Sequence, residues 1–218
     1  MKKYSLSIVL PAYNEEENIG EVLKGLTCNN RSEIIVVDGQ SHDRTVEFAR
    51  KYHVKVISSV KNRAMQMNAG ARAAKGDILL FLHADCLLED GALTAITDHI
   101  NNGYIGGCLT QKISADNILY RIIEISGNIR ATVFKVFYGD QAIFVQRDIF
   151  FKLGGFNNIH LFEDILFSKK MRRAGKTKAL HKKVFTSPRR WEKEGIIKTT
   201  LVYWLLGLGY IFNLPYGG

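Results

Sequence analysis

The sequence predicts an α/β fold on a mixed, mostly parallel central sheet with flanking helices, and three observations carry that prediction. Short apolar runs alternate with helical patterns through the first half of the chain. Three of the first four runs end on polar residues of the kind that collect at the carboxyl edge of a parallel sheet. No internal repeat or low-complexity linker interrupts the 218 residues, which suits one continuous domain with a C-terminal appendage.

Residues 5–10 read as the first strand, halted by Pro11. Asn14 can cap a helix whose first turn carries Glu15, Glu16 and Glu17, at the positive end of the dipole. Ile19, Val22, Leu23 and Leu26 make its buried stripe. Residues 34–37 form a second strand ending on Asp38-Gly39. Asp43 then caps a helix that buries Val46, Phe48 and Ala49. Residues 54–57 are a third strand, 64–74 a helix of small residues, and 78–82 a fourth strand ending on His83-Ala84-Asp85.

The second half predicts a helix over 93–100, a strand over 106–113 and a long helix over 118–136, interrupted by Gly127. A strand over 142–145 and a short helix over 149–153 follow. The helix over 163–173 is closed by Gly175 at the C′ position. Two short strands come next, around 178–180 and 184–186. Residues 199–218 carry no charge, and the apolar centre at 201–212 holds Tyr203, Trp204 and Tyr210. That centre is shorter than the roughly 20 apolar residues that span a bilayer. Three readings stay open: a helix packed on the core, an interfacial helix with aromatic anchors, or part of a longer span.

Composition narrows the class. Hydrophobic residues at 46% and charged residues at 23% supply a real core and argue against disorder. Cys28, Cys86 and Cys108 are odd in number and lack CxxC spacing. They fit a reducing, cytoplasmic setting and argue against a disulfide framework or zinc site. The apolar run after Met1-Lys2-Lys3 is too short for a signal h-region, so no signal peptide is expected. Of the net charge of +9, much falls between residues 168 and 198. A solvated face, an anionic phospholipid surface and an acidic substrate all explain it. Nucleic acid is the least favoured explanation and is not expected as a partner, because no helix-turn-helix, RNP-like or zinc-finger pattern accompanies the basic residues.

The strand ends carry the chemistry. Pro11-Ala12-Tyr13-Asn14-Glu15, Asp38-Gly39-Gln40-Ser41 and His83-Ala84-Asp85 would share one edge, and fold stability does not ask for them there. Neither G-x-G-x-x-G after the first strand nor G-x-x-x-x-G-K-[ST] is present, which removes the usual dinucleotide and P-loop readings. A nucleotide would be held by side chains and a hard divalent cation. His83-Ala84-Asp85 suits that ion, although Asp85 also suits a helix cap ahead of Glu89.

At this point the sequence resembles family 2 glycosyltransferases, which have the Rossmann-like GT-A fold. The opening run from Ser7 to Glu15 carries the likeness, with Ile35-Val36-Val37-Asp38-Gly39, Ser41 and Asp43. In order follow Asn68-Ala69-Gly70, Ala74-Lys75-Gly76-Asp77, Phe81-Leu82-His83-Ala84-Asp85, Leu153-Gly154-Gly155-Phe156, Glu163-Asp164 and Arg190-Trp191. The likeness covers about residues 5 to 191. It implies a catalytic domain over 1–190 and an amphipathic helical extension over 191–218, packed on the core or on a membrane surface.

The resemblance implies roles. Pro11, Tyr13 and Glu15 would line the nucleotide pocket, and Asp38 would bond the base or ribose. Arg63, Asn68, His83, Ala84, Arg190 and Trp191 would complete the nucleotide-sugar site. Asp85 matches the second aspartate of the DxD motif and would bind Mg²⁺ or Mn²⁺; His83 replaces the first, so the metal stays open. Asp164 matches the general base, with Glu163 raising its pKa by like charge. Ser187 stands where the QxxRW motif has glutamine, so processive polymer synthesis is not supported. Gly139-Asp140-Gln141, ahead of a strand, can face the donor sugar.

The activity implied is inverting transfer from a nucleotide-diphosphate sugar to an unidentified, possibly lipid-linked acceptor, within cell-envelope polysaccharide or glycolipid synthesis. That would place the chain in the cytoplasm, peripheral at the inner face of the membrane. Two rivals stay open: a nucleotidyltransferase on a similar sheet, and a silent nucleotide-sugar-binding protein. The former would normally carry a glycine-rich basic loop after the first strand, which Ala12-Tyr13-Asn14-Glu15 is not.

Overall fold

Burial on both faces explains why the first strands read as unbroken apolar runs. The computed structural model describes residues 4–28, 32–159 and 161–212. Strands β1 (Leu6–Ala12), β2 (Ser32–Asp38), β3 (Lys55–Ser58) and β4 (Ile78–Phe81) run parallel, with β1 between β2 and β4. β5 (Cys86–Leu88), β6 (Gly106–Ile113), β7 (Phe144–Gln146) and β8 (Thr177–Thr186) complete a sheet of order β3-β2-β1-β4-β7-β6-β8-β5. β7 is antiparallel to β4 and β6, and β5 is antiparallel to β8.

Helices cover both faces. They are α1 (Ile19–Thr27), α2 (Thr45–Arg50), α3 (Arg63–Ala73), α4 (Ala92–Asn101), α5 (Ile118–Ile129), α6 (Arg147–Lys152), α7 (Glu163–Ala174), α8 (Arg189–Glu194) and α9 (Ile196–Phe212). Alternate residues of β1 feed two cores. Ile8 and Leu10 pack with Ile19, Leu23 and Ile96, while Val9 packs with Met67, Phe81 and Phe150 on the other side. The small residues of α3 have a cause here. At Gly70 a Cβ would overlap the side chains of Val9 and Val37, so this helix lies unusually close to the sheet.

Several expectations are corrected. Asn14 does not cap α1: it adopts φ 52° and its side chain accepts from His42 N at 2.9 Å, and the helix begins at Ile19. The predicted helix over 118–136 ends earlier. α5 gives way to a π turn at Arg130–Phe134, closed by Lys135 at φ 54°. The two short strands at 178–180 and 184–186 are one strand, β8, whose register shifts opposite Leu109/Thr110. Gly175 ends α7 in an extended conformation, and its missing Cβ leaves room for Ile105. β5 went unforeseen, since three residues after a polar turn give no periodicity.

α9 follows α8 directly and packs against α7. Ile197, Leu201, Val202, Trp204 and Leu205 are exposed on it. Among the described residues, no helix is long and apolar enough to cross a membrane.

Candidate active site

The carboxyl ends of β1 and β2 are held by their own hydrogen bonds. Asp38 is buried and accepts from Gln40 N and Ser41 N at 3.1–3.2 Å, turning the chain sharply after β2. Gln66, buried on α3, donates to Ala12 O at 2.9 Å and Val37 O at 2.8 Å, tying both strand ends together. Asp43 accepts from Glu16 N and from Thr45, and so joins the turn before α1 to the start of α2. Tyr13, just beyond Pro11, lies edge-on to His42, with the Lys61 ammonium 3.8 Å above its ring. Glu15 accepts from Arg189 Nη2 at 2.8 Å on both oxygens and from Asn18 at 2.8 Å. Burial raises its pKa, partly offset by Asn18 and Arg189, and the nearby Asp85 pushes the same way.

A cavity of about 700 Å³ opens beside this edge, at the end of β4. It brings together Arg63, His83, Asp85, Asp164, Arg190 and Trp191 of the residues singled out from sequence. Pro11, Tyr13, Glu15, Asp38, Asn68, Ala84 and Glu163 do not form its wall. Asn68 is engaged with Phe156: its side-chain amide donates to Phe156 O at 2.8 Å and accepts from Phe156 N at 3.0 Å. Ala84 is buried in the core and seats the turn between His83 and Asp85. Trp191 meets Tyr120 edge-on at 6.0 Å, so α8 closes one side against α5.

The acidic pair opens α7. Phe162, immediately before it, holds φ 65°, a conformation costly for a bulky side chain and common at functional sites. Asp164 Oδ2 accepts from Gly139 N at 2.6 Å and Oδ1 from Ile165 N at 2.7 Å. Burial raises the Asp164 pKa, while those amides, Arg63 and Arg130 work against the rise. Glu163 is pushed up to about 7, first by burial and then by the charge of Asp164. Burial thus outweighs like-charge repulsion as the cause of both shifts.

His83 faces the same spot. Burial, with Arg63 and Arg190 nearby, lowers its pKa to about 3, which leaves a neutral imidazole at pH 7. Its Nε2 has no hydrogen-bond partner. A Cβ at Gly139 would come within 2.8 Å of that nitrogen and 3.4 Å of Asp164 Oδ2, so glycine lets the Asp164 carboxyl and the imidazole approach one another. Ligand atoms of His83, Asp85 and Cys86 lie within 4.8 Å of one another. Burial raises the Cys86 thiol well above its usual pKa, so it stays protonated. A carboxylate and a neutral imidazole remain, a pair that fits a divalent ion such as Mn²⁺.

Sequence reasoning missed the cavity's inner wall. Gln111 Nε2 donates to Asp140 Oδ2 at 2.7 Å, and Arg130 Nη2 donates to Gln141 Oε1 at 2.8 Å. The Arg130 guanidinium also lies 3.1 Å over the Tyr138 ring. Asp140 Oδ1 is buried without a hydrogen-bond partner, and burial raises the pKa of its carboxyl. The polar triplet Gly139-Asp140-Gln141 was the one sequence signal pointing here.

The family described as glycosyl transferase family 2 matches residues 7–179. An uncharacterized glycosyltransferase of Haemophilus influenzae is 30% identical over 188 residues, 76% of this chain and 61% of the relative. A dolichol-phosphate mannosyltransferase of Pyrococcus furiosus is 34% identical over 111 residues, 45% of this chain and 30% of the relative. The chain therefore spans less than two thirds of the length of either relative. Among solved structures, a mannosyltransferase from Pyrobaculum calidifontis in complex with GDP-Man and Mn²⁺ superposes with TM-score 0.66. Its sequence is 18% identical, and the match covers 84% of this chain and 57% of that one.

Proposed function

The chain belongs to glycosyltransferase family 2, and from that premise we propose that it moves a sugar from a nucleotide-diphosphate donor to a lipid-linked acceptor with inversion. One observation carries the reading. Asp164 is buried at the start of α7, clamped by Gly139 N, and faces a cavity it shares with Asp85 and the neutral imidazole of His83.

In this reading the nucleoside rests against Pro11, Tyr13 and Asp38, with Glu15 shaping the turn below. Asn68 serves by pinning Phe156. Arg63 meets the diphosphate, where a fixed cation is most useful. Asp85 and His83 would hold a divalent cation, Mg²⁺ or Mn²⁺, and such an ion would supply positive charge opposite the leaving diphosphate. Asp164 Oδ2 takes the acceptor proton as the acceptor oxygen bonds to the anomeric carbon. The bond from that carbon to the diphosphate breaks, releasing nucleoside diphosphate. Glu163 tunes the charge of its neighbour, and Arg190 and Trp191 close the cavity from α8.

The lipid-linked acceptor draws support from the name of the Pyrococcus relative and from the apolar side of the cavity, formed by Ile129, Phe134, Phe162 and Trp204. The division into a catalytic domain over 1–190 and a helical extension over 191–218 belongs to the same proposal, as does a peripheral position at the cytoplasmic face. A thermal-shift panel of nucleotide sugars, with and without Mn²⁺, should reveal the donor by mass-action stabilisation. Turnover of that donor should then release nucleoside diphosphate. Release of pyrophosphate instead would identify nucleotidyl transfer and overturn the proposal.

A further inference from the structure

The polarity of α5 is reversed for a helix packed on a globular core. Its inward face buries Tyr120 and the charged Glu124, which accepts from Ile113 N at 2.5 Å and pairs with Arg121 and Lys112. Its outward face carries Ile118, Ile122, Ile125 and Ile129, continued by Val133 and Phe134 in the π turn. The spacing of the isoleucines places them on one stripe, and their exposures run from 48% to 72%. A water-facing helix arranges these residues the other way round. Soluble monomers seldom leave so long an apolar row uncovered.

From this face we infer that α5 and the π turn form a docking surface that inserts into an anionic phospholipid bilayer. Charge selects that occupant. Glu124 is the one acid between residues 117 and 135 and it points inward; Asp116 lies just ahead of the helix. Cations stand at the other end of the stripe. Lys135 follows Phe134, and Arg172 Nη1 donates to Phe134 O at 2.7 Å. Arg173 and Lys169 lie close by, and their mutual repulsion with Arg172 adds to partial burial in lowering the Lys169 pKa. An apolar row rimmed by cations is the pattern of an interfacial helix on acidic lipid.

The surface is also continuous with the cavity. Ile129 and Phe134 are exposed on the stripe and line the cavity as well, as do Leu161 and Trp204. Docking by this face brings the cavity mouth to the lipid surface, where a lipid-linked acceptor enters sideways. That last link rests on the function proposed above; the docking itself does not.

The test is flotation of the full chain with phosphatidylcholine vesicles, with and without phosphatidylglycerol. It compares wild type with the double variant Ile122→Glu/Ile125→Glu, whose two positions do not line the cavity. Wild type should float with the acidic vesicles, less so as salt rises. The variant should lose about tenfold or more of that binding, with an unchanged thermal midpoint because both positions are exposed. Asp164→Asn should float like wild type, so failed docking and failed catalysis are told apart. Equal flotation of the double variant and wild type would overturn the inference, since α9 would then suffice. So would a wild type that ignores both vesicles and sediments as a dimer that the substitutions dissociate.

Discussion

The two halves of the site differ in what their polar groups are for. At the ends of β1 and β2, Asp38, Asp43, Gln66 and Glu15 are occupied by the protein itself, each with two or more hydrogen bonds. Across the cavity, His83 Nε2, Asp140 Oδ1 and Thr199 Oγ1 are buried without partners, as is Glu163 Oε1 next to Asp164. Backbone strain is present in both: Asn14 and Gln40 sit at positive φ in the first half and Ala142 and Phe162 in the second, and of the four Asn tolerates it most readily. A self-satisfied edge is a scaffold that shapes a pocket. A costly, unsatisfied wall is what a reacting centre looks like before its ligand arrives. Substitutions should therefore lower stability on one side and turnover on the other.

The largest effect is expected at Asp85. Asp85→Asn should lower turnover by about 10³ or more, since a weakened cation loses several kcal/mol of charge stabilisation, while the thermal midpoint barely moves. Calorimetry showing equal donor affinity with and without divalent cation would break this side of the comparison. Next comes Gly139→Ala, whose methyl would press on His83 Nε2. A displacement of that size should cost roughly 10 to 100-fold in kcat/KM, checked by steady-state kinetics; an unaffected rate would separate Gly139 from the chemistry.

On the scaffold side, Gln66→Ala should destabilise the fold by about 2 kcal/mol, because two buried carbonyls lose a donor. Its kcat, measured well below the unfolding transition, should stay near wild type. Urea titrations and kinetics on one preparation test both halves of that statement. An effect of similar size, but one that appears only as pH changes, comes from Glu163. Its carboxyl holds its proton more tightly folded than unfolded, pushed up to about 7 from its ordinary 4.5. Its contribution to stability is present below about pH 4.5 and is lost as pH rises towards 7. Glu163→Gln should flatten that decline and stabilise the protein by roughly 1–3 kcal/mol at pH 8 relative to pH 5. Equal urea midpoint shifts at the two pH values would show that the group does not titrate there.

The sequence made the strand ends legible on both sides of the site, for a physical reason. Parallel strands buried on both faces leave unbroken apolar runs, and their polar ends follow at once, so Asp38, His83 and Asp85 could be placed from spacing. Asp164 and Glu163 stood out as acids opening a helix. Gln111, Arg130 and Asp140 meet across a sheet strand, a π turn and a short 3₁₀ segment, and no local pattern joins those three. The break at Arg130 was hidden because residues 118–134 keep a helical apolar rhythm on the outside. That rhythm belongs to the exposed face of α5, and only the structure showed which way it points.

Asp164 is the group proposed to take the acceptor proton. Asp164→Asn keeps the shape of the side chain and an oxygen for the Gly139 amide, and it removes the basic carboxylate. With donor and acceptor identified, single-turnover kinetics and donor calorimetry on this variant separate chemistry from binding. Loss of a general base predicts a fall in kcat of about 10² to 10⁴, with donor affinity within a few fold of wild type. A variant with near-normal kcat would contradict the assignment, and so would one that lost donor affinity in proportion to rate.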